Sequence, residues 1–219
     1  MTTPYYEQDG ITIYHADCRD VLPTIEAGSV DLVLTDPPYN VGLTRNGVAY
    51  STGDNISDYQ TWTRQWFALA PRPLIVTPGM VNLAMWLTIE RPRWVCAWVK
   101  PNQCSPSALN GFNTWEPLLV YGRLSKPLGQ DSWVMSIQTG QRDVGDHPCP
   151  KDPRFWRKLM VDTSQPGQTI LDPFMGSGTT LRAAKDLGRR AIGIEIEERY
   201  CEIAARRLSQ QVLPLEVAR

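Results

Sequence analysis

The sequence has little that would anchor the chain in a membrane or hold it together with disulfides. Its 219 residues contain no apolar run of the roughly 18 residues that a transmembrane helix requires. The five cysteines are scattered and form no C-x-x-C pair, which is typical of reduced thiols rather than of a disulfide framework or a zinc site. The first ten residues are polar and lack a signal-peptide pattern. We therefore expect a cytoplasmic protein without membrane contact and without a bound metal.

An excess of positive charge is also missing, because the formal net charge is −1. A nucleic-acid partner would therefore need a local basic patch. Residues 121–160 offer one candidate, in which seven basic side chains outnumber four acidic ones. The basic members are Arg123, Lys126, Arg142, Lys151, Arg154, Arg157 and Lys158, and the acidic members are Asp131, Asp143, Asp146 and Asp152. An ordinary solvated surface of mixed charge explains the same residues equally well, so both interpretations stay open.

Short β-branched runs alternate with amphipathic stretches along the chain. This alternation predicts an α/β fold with a mostly parallel central sheet and helices on both faces, and the length fits one domain over residues 1–219. Strands are predicted at Ile11–His15, Val30–Thr35, Leu74–Thr77, Arg93–Val99, Pro117–Tyr121, Thr169–Leu171 and Ala191–Ile194. Helices are predicted at Asp58–Leu69, Met80–Glu90, Arg154–Val161, Thr179–Leu187 and Glu197–Leu208.

Local signals refine this outline. Ser57 and Gln60 form a capping-box pattern, which predicts that Ser57 caps the helix near residue 58. Three stretches, 41–56, 101–115 and 122–146, fit neither helix nor strand periodicity. Loops of this length in a compact domain are usually functional or disordered.

Four carboxylates directly follow predicted strands: Asp17, Asp36, Asp172 and Glu195. In an open parallel sheet, the carboxyl ends of the strands face the ligand crevice. A single acid at such a place is as often a helix N-cap, but four of them together favour a binding site.

A glycine-rich turn, D-P-F-M-G-S-G-T-T from Asp172 to Thr180, lies between a predicted strand and a predicted helix. Glycines allow a ligand to approach the backbone, and the helix N-terminus adds free N–H groups. The turn is not a P-loop, because no lysine follows Gly178, and Leu181 replaces the third glycine of a dinucleotide fingerprint. Glu195 lies at the end of the next strand, where an acid accepts hydrogen bonds from the ribose of an adenosine-containing ligand.

A second motif, Asp36-Pro37-Pro38-Tyr39, ends another predicted strand. The prolines withdraw two N–H donors, so carbonyls are the main-chain groups on offer. A carboxylate beside a carbonyl gives two acceptors, which fit the two N–H donors of an amino group. Tyr39 adds a flat face for stacking a base, a contact worth about 1–3 kcal/mol. A proline-stiffened turn with a core tyrosine is the alternative, and the coexisting glycine-rich turn argues against it.

These two motifs, in this order, resemble those of the DNA amino-methyltransferases of the β class, where D-P-P-Y precedes the cofactor loop. The likeness spans residues 16–195 and extends to further segments. These are Ala16-Asp17-Cys18, Ser29–Thr35, Trp98-Val99-Lys100, Glu116–Tyr121, His147-Pro148 with Lys151, and Gly193-Ile194-Glu195.

The resemblance implies a Rossmann-like, S-adenosylmethionine-dependent methyltransferase fold and assigns roles to particular residues. The catalytic set, which would hold a base flipped out of double-stranded DNA, is Asp36, Pro37, Pro38 and Tyr39. The cofactor-binding set is Asp17, Cys18, Lys151, Asp172, Phe174, Gly176, Ser177, Gly178, Thr179 and Glu195. The family's segment before the cofactor loop usually ends in Lys-Pro, whereas here Lys151 is followed by Asp152, which leaves the role of Lys151 open.

The implied reaction is methyl transfer from S-adenosylmethionine to the exocyclic N6 amino group of adenine, as in restriction-modification. In the family, an Asp that opens the catalytic motif favours adenine and a Ser favours N4 of cytosine, so Asp36 favours adenine. N4-cytosine methylation is the alternative. A protein-glutamine methyltransferase and a non-catalytic nucleic-acid-binding subunit are less favoured. Methylation at carbon 5 of cytosine is disfavoured because no Glu-Asn-Val triplet occurs.

Recognition of the target sequence would need residues outside these motifs. We expect a small irregular target-recognition region within about residues 100–146, and Trp133 is the tryptophan that we favour for contact with a base. The sequence does not decide whether the protein acts as a homodimer.

Overall fold

The computed structural model of the protein is built around a central nine-stranded sheet. The structure describes residues 3–42, 44–45, 48–49, 56–103, 105–106, 110–137 and 152–210. Several residues of the sequence-based predictions lie outside this part of the chain, among them Lys151 of the cofactor set and Arg142 of the basic patch.

The elements are as follows. The strands are β1 Tyr6–Gln8, β2 Ile11–His15, β3 Leu32–Thr35, β4 Thr44–Arg45, β5 Val48–Ala49, β6 Leu74–Val76, β7 Trp94–Val99, β8 Ser105–Pro106, β9 Phe112–Asn113, β10 Trp115–Tyr121, β11 Ser132–Val134, β12 Thr169–Asp172 and β13 Arg190–Glu195. The helices are α1 Cys18–Val21, α2 Tyr59–Leu69, α3 Leu83–Ile89, α4 Pro153–Thr163, α5 Thr179–Asp186 and α6 Glu198–Ser209, and a short 3-10 helix covers Leu22–Thr24.

The order of strands in the central sheet is β1-β2-β13-β12-β3-β6-β10-β7-β11. The five strands from β2 to β6 in this order are mutually parallel. Strand β10 is antiparallel to both of its neighbours, β11 is parallel to β7, and β1 is antiparallel to β2. The predicted mostly parallel sheet is confirmed.

Two apolar cores cover opposite faces of the sheet, because successive side chains of a strand point to opposite sides. In β3, Leu32 and Leu34 belong to the core formed with α4, α5 and α6. Val33, between them, belongs to the core formed with α1, α2 and α3. The prediction of helices on both faces is therefore confirmed. In the described part of the chain, no helix is long and apolar enough to cross a membrane.

All seven predicted strands and all five predicted helices are present, with bounds shifted by a few residues. The capping prediction was wrong: the N-cap of α2 is Asp58, whose side chain accepts a 3.0 Å hydrogen bond from the Thr61 amide, and not Ser57. The analysis of periodicity missed β1, β11 and α1, which have three, three and four residues. Elements this short offer too few positions for a period to be seen.

The chain reverses its winding between β12 and β3. From β12 it continues through α5 to β13 on one side, and from β3 it continues through α2 to β6 on the other. At such a switch point the connections leave a crevice at the carboxyl edge of the sheet. Asp36 and the glycine-rich turn both lie at this edge, directly after β3 and β12.

Candidate active site

The Asp36 carboxylate is held by two hydroxyl groups. Tyr39 donates its phenolic O–H to Asp36 Oδ1 at 2.6 Å, and the Thr77 hydroxyl donates to the same oxygen. Thr77 follows β6, the neighbour of β3, and its amide donates to the Thr35 carbonyl at 3.2 Å. Strand pairing therefore sets the position of Thr77 beside Asp36.

Two carbonyls of the same turn also have side-chain partners. Tyr59 in α2 donates its O–H to the Pro38 carbonyl at 2.7 Å, and Asn82 before α3 donates its amide N–H to the Tyr39 carbonyl at 2.7 Å. Within the residues that the structure describes, no group donates to the Pro37 carbonyl. The turn thus keeps the Pro37 carbonyl as a main-chain acceptor beside Asp36 in the chain, as the Pro-Pro pattern predicts.

Gly79 lies flat against the Tyr39 ring. It has a φ of +69°, and a Cβ at this position would come within 3.0 Å of two ring carbons. Only glycine combines this left-handed backbone with so close an approach. The Gly79 backbone therefore supports one face of the tyrosine ring.

Two backbone N–H groups hold the Glu195 carboxylate at the end of β13. Gly176 donates to Oε2 at 3.0 Å, and Glu197 donates to Oε1 at 2.8 Å. Burial, as the largest cause, raises the pKa of Glu195 to about 7, although the two amides lower it. The acid and the glycine-rich turn, which are adjacent in the predicted site, are thus in direct contact.

Asp172 connects the two motifs. Its Oδ1 accepts a 2.7 Å hydrogen bond from the Thr35 hydroxyl and a 3.0 Å hydrogen bond from the Phe174 amide. Burial, with a smaller contribution from the charge of Asp36, raises the pKa of Asp172 to about 6, although the hydrogen bonds to its carboxylate lower it. Because Thr35 immediately precedes Asp36, this hydrogen bond links the glycine-rich turn to the residue just before the Asp36–Tyr39 turn.

Glycine is required at position 178 by the packing of α6 as well as by the backbone conformation of the turn. It is the N-cap of α5 with a φ of +82°, and a Cβ there would lie 2.8 Å from Cβ of Ala204 in α6. The neighbouring Ser177 is buried, and its carbonyl accepts a 2.7 Å hydrogen bond from Arg207. Thr179, also buried, begins α5. Helix α6 therefore packs directly on the turn.

Asp17 caps α1, accepting from the Arg19 amide at 2.8 Å and from Arg19 Nη2 at 2.6 Å. The hydrogen bonds from Arg19 lower the pKa of this carboxyl. Cys18 is buried beside it, and burial raises the pKa of its thiol. Both lie at the carboxyl end of β2, on the same edge of the sheet as Glu195.

Helix α2 contacts both halves of the site. Phe174 of the glycine-rich turn packs against Trp62 and Trp66, with ring centroids 5.4 Å and 4.9 Å away. Tyr59, which donates to the Pro38 carbonyl, stacks on Trp62 with ring centroids 5.7 Å apart. The sequence analysis did not identify Tyr59, Thr77 or Asn82. Thr77 ends a predicted strand at the crevice edge and could have been found by that rule, whereas Tyr59 and Asn82 have no signal in the sequence.

Trp133 is not available to a base, which corrects the expectation from the sequence. Its side chain is buried at 3% exposure, its ring packs against Phe155, and its N–H donates to Asp162 at 2.8 Å. It belongs to β11, an edge strand of the central sheet. The sequence analysis did not predict this burial, because Trp133 lies in the stretch 122–146, which shows neither helix nor strand periodicity.

The described part of the predicted basic patch is largely neutralised. Arg154, Arg157 and Lys158 pair with Asp152, Asp186 and Asp162. Lys126 donates to the Val161 carbonyl at 2.5 Å. These pairs fit a surface of mixed charge better than a nucleic-acid footprint.

Comparison with known proteins agrees with this geometry. A family model described as DNA methylase matches residues 113–206, which include the glycine-rich turn and Glu195. Among curated proteins similar to this chain, the type II methyltransferase M2.LlaDCHI of Lactococcus lactis subsp. cremoris is 28% identical over 96% of this chain and 93% of its own. M2.DpnII of Streptococcus pneumoniae is 27% identical over 96% of this chain and 94% of its own.

Solved structures share the fold. The M1.HpyAVI–SAM complex has a TM-score of 0.66 and 24% identity, and the match covers 91% of this chain and all 100% of the other. The PvuII DNA methyltransferase, described as cytosine-N4-specific, has a TM-score of 0.74 and 16% identity over 97% of this chain and 91% of its own. The predicted Rossmann-like methyltransferase fold is confirmed.

Proposed function

We propose that this protein is a DNA methyltransferase that transfers a methyl group from S-adenosylmethionine to the exocyclic N6 amino group of adenine in DNA. One observation carries the proposal: strands β3 and β12 are paired side by side, with Leu32 opposite Ile170 and Val33 opposite Leu171. The Asp36–Tyr39 turn, which we call the catalytic turn, and the glycine-rich turn are far apart in sequence but therefore open next to each other at one edge of the sheet.

The residues present suit S-adenosylmethionine. Both Glu195 oxygens accept backbone N–H groups, which orients the carboxylate to accept ribose hydroxyls as well. Asp36, Asp172 and Glu195 gather negative charge at one edge, and such a cluster favours a cationic ligand. When bound, S-adenosylmethionine supplies an electrophilic methyl group on a positively charged sulfur. We assign the remaining cofactor-binding roles to Asp17, Cys18, Lys151, Phe174, Gly176, Ser177, Gly178 and Thr179.

The catalytic turn suits an amino group. Asp36 and the Pro37 carbonyl offer two acceptors for its two N–H donors, and Tyr39 offers a face for stacking. Accepting both hydrogens directs the nitrogen lone pair towards the methyl donor. Much of the rate would then come from alignment, and the Asp36 carboxylate stabilises positive charge that develops on nitrogen. Because a paired base cannot reach this turn, it must leave the duplex, at a cost of a few kcal/mol.

N4 of cytosine is the second candidate target, and the structural likeness to the cytosine-N4-specific PvuII enzyme favours it. The same two acceptors would hold the amino group of cytosine. The Asp that opens the catalytic motif supports adenine as the first choice.

The surroundings of this reaction are part of the proposal. The curated relatives are named type II methyltransferases, which supports a place in restriction-modification with double-stranded DNA as substrate. We place the enzyme in the cytoplasm as one domain, with target recognition within about residues 100–146, where β8 and β9 pair as a short hairpin. Trp115–Tyr121 and Ser132–Val134, in the same range, belong to the central sheet.

The reaction is tested by incubating the protein with labelled S-adenosylmethionine and mixed-sequence DNA, then digesting the DNA and identifying the labelled nucleoside. We expect label in N6-methyladenine. Label in N4-methylcytosine alone would mean that the target base is cytosine and not adenine.

Asp36→Ala tests the assigned chemistry. We expect it to lower transfer by at least about 100-fold while calorimetry shows an unchanged affinity for the cofactor. A parallel loss of cofactor binding would mean that Asp36 supports the fold and not the reaction.

A further inference from the structure

The catalytic turn is clamped by three side chains from outside the two known motifs. We propose that Tyr59, Thr77 and Asn82 are positioning residues, each of which holds one acceptor of the turn so that Asp36 and the Pro37 carbonyl face the target amino group. This inference rests on the proposed function, since it assigns a task within that reaction.

Thr77 sets the direction of the carboxylate. Its side chain is buried at 1% exposure, and its amide is anchored to the Thr35 carbonyl. With the Thr77 backbone held by this bond, the Thr77 hydroxyl and the Tyr39 O–H converge on Asp36 Oδ1. Two donors on one oxygen prevent the carboxylate from rotating freely about its side-chain torsions.

Tyr59 and Asn82 act on the backbone of the turn. They donate to the carbonyls of Pro38 and Tyr39, which are consecutive, at 2.7 Å each. With these two carbonyls engaged, the Pro37 carbonyl that precedes them still has no donor within the described chain. The clamp therefore fixes the two carbonyls that follow Pro37 and leaves the Pro37 carbonyl available to the substrate.

The behaviour of Asn82 argues against a role in local folding alone. Asn82 occupies the N-cap position of α3, where an asparagine normally accepts a hydrogen bond from its own helix, worth about 1 kcal/mol. Its side chain makes no such bond and donates to the Tyr39 carbonyl. The Asn82 side chain thus bonds to the catalytic turn and does not cap its own helix.

Asn82→Asp is the most informative variant. Aspartate keeps the size of the side chain and is an equally good N-cap, but it cannot donate to the Tyr39 carbonyl. We expect kcat at saturating DNA to fall about 10- to 100-fold, as a misplacement near 1 Å can cause. Cofactor affinity should stay within about twofold, and the unfolding midpoint in urea should stay equal or rise.

Tyr59→Phe and Thr77→Val should also lower kcat without weakening cofactor binding, because each removes one hydroxyl and leaves the carbon frame. Thr77→Ser keeps the hydroxyl and should restore most of the rate. Thr163→Val is the matched control: Thr163 is equally buried, and its hydroxyl bonds to the Leu159 carbonyl within α4, away from the turn.

Two outcomes would overturn the clamp. The first is a kcat within twofold of wild type in Asn82→Asp, Tyr59→Phe and Thr77→Val alike. The second is a fall in kcat that is equally large in Thr163→Val, or that is accompanied by loss of cofactor binding. Failure of the proposed function is recognised separately, because the wild-type protein itself would then bind cofactor without methylating any DNA.

Discussion

Binding of S-adenosylmethionine should weaken as the pH falls, because the acid that would receive the ribose hydroxyls is partly protonated near neutrality. Burial raises the pKa of Glu195 to about 7. Only the carboxylate form can accept from both hydroxyls while still accepting from the amides of Gly176 and Glu197. Binding must therefore remove the proton.

The size of the effect follows from this pKa. With a pKa of about 7, roughly nine-tenths of the molecules carry the carboxylate at about pH 8 and roughly one-tenth at about pH 6. The dissociation constant for the cofactor should rise about tenfold between these two conditions.

Isothermal titration calorimetry measures this directly. Repeating the titration near pH 7 in buffers of different ionisation enthalpy should reveal release of about half a proton. Glu195→Gln should bind more weakly at high pH and lose most of the pH dependence, whereas Asp172→Asn should keep it. A dissociation constant that varies less than twofold between about pH 6 and pH 8 would refute the role assigned to Glu195.

Stability without cofactor should show the opposite trend. The pKa of Glu195 in the folded protein lies above its ordinary value of 4.5, so the folded state binds the proton more tightly than the unfolded state. The free energy of unfolding should therefore decrease as the pH rises from about 4.5 to about 7.

Two further predictions concern packing. Gly178→Ala should destabilise the protein by several kcal/mol in urea unfolding, because its Cβ would meet Cβ of Ala204 at 2.8 Å. Gly188→Ala is its control: φ is +69° but nothing lies within 4 Å, so the loss should stay near 1 kcal/mol, and equal losses would exclude the clash as the cause. Trp133→Phe should lower the free energy of unfolding by about 1–2 kcal/mol, since it removes the hydrogen bond to Asp162, and should leave the methylated DNA sequence unchanged. A changed target sequence would mean that Trp133 takes part in recognition of the DNA sequence after all.

Prediction from the sequence succeeded where the signal is repeated along the chain. The strands of the central sheet are runs of β-branched residues between turn residues, and each lies within a few residues of its predicted place. The rule that strand ends face the crevice then brought Asp36, Asp172 and Glu195 to one edge correctly. It also placed Asp17 at this edge, where the side chain is engaged by Arg19 as the cap of α1.

Contacts between distant side chains could not be predicted in this way. The bond from Tyr59 to the Pro38 carbonyl depends on how α2 lies across the sheet. The burial of Trp133 depends on a three-residue edge strand that pairs in parallel with β7. The identity of Gly178 depends on the approach of α6 as well as on ligand access. None of these is encoded by local spacing, since each requires the tertiary arrangement to exist first.

Pairing of β3 with β12 has a consequence for how such an enzyme diversifies. The Asp36–Tyr39 turn and the glycine-rich turn are joined by a strand ladder and by the hydrogen bond between Thr35 and Asp172, which are 137 residues apart in the chain. Neither half therefore relies on the connecting loops for its alignment. Insertions at those loops can alter which DNA sequence is read while the chemistry stays intact, and the linear order of the two motifs can be exchanged without rebuilding the pocket.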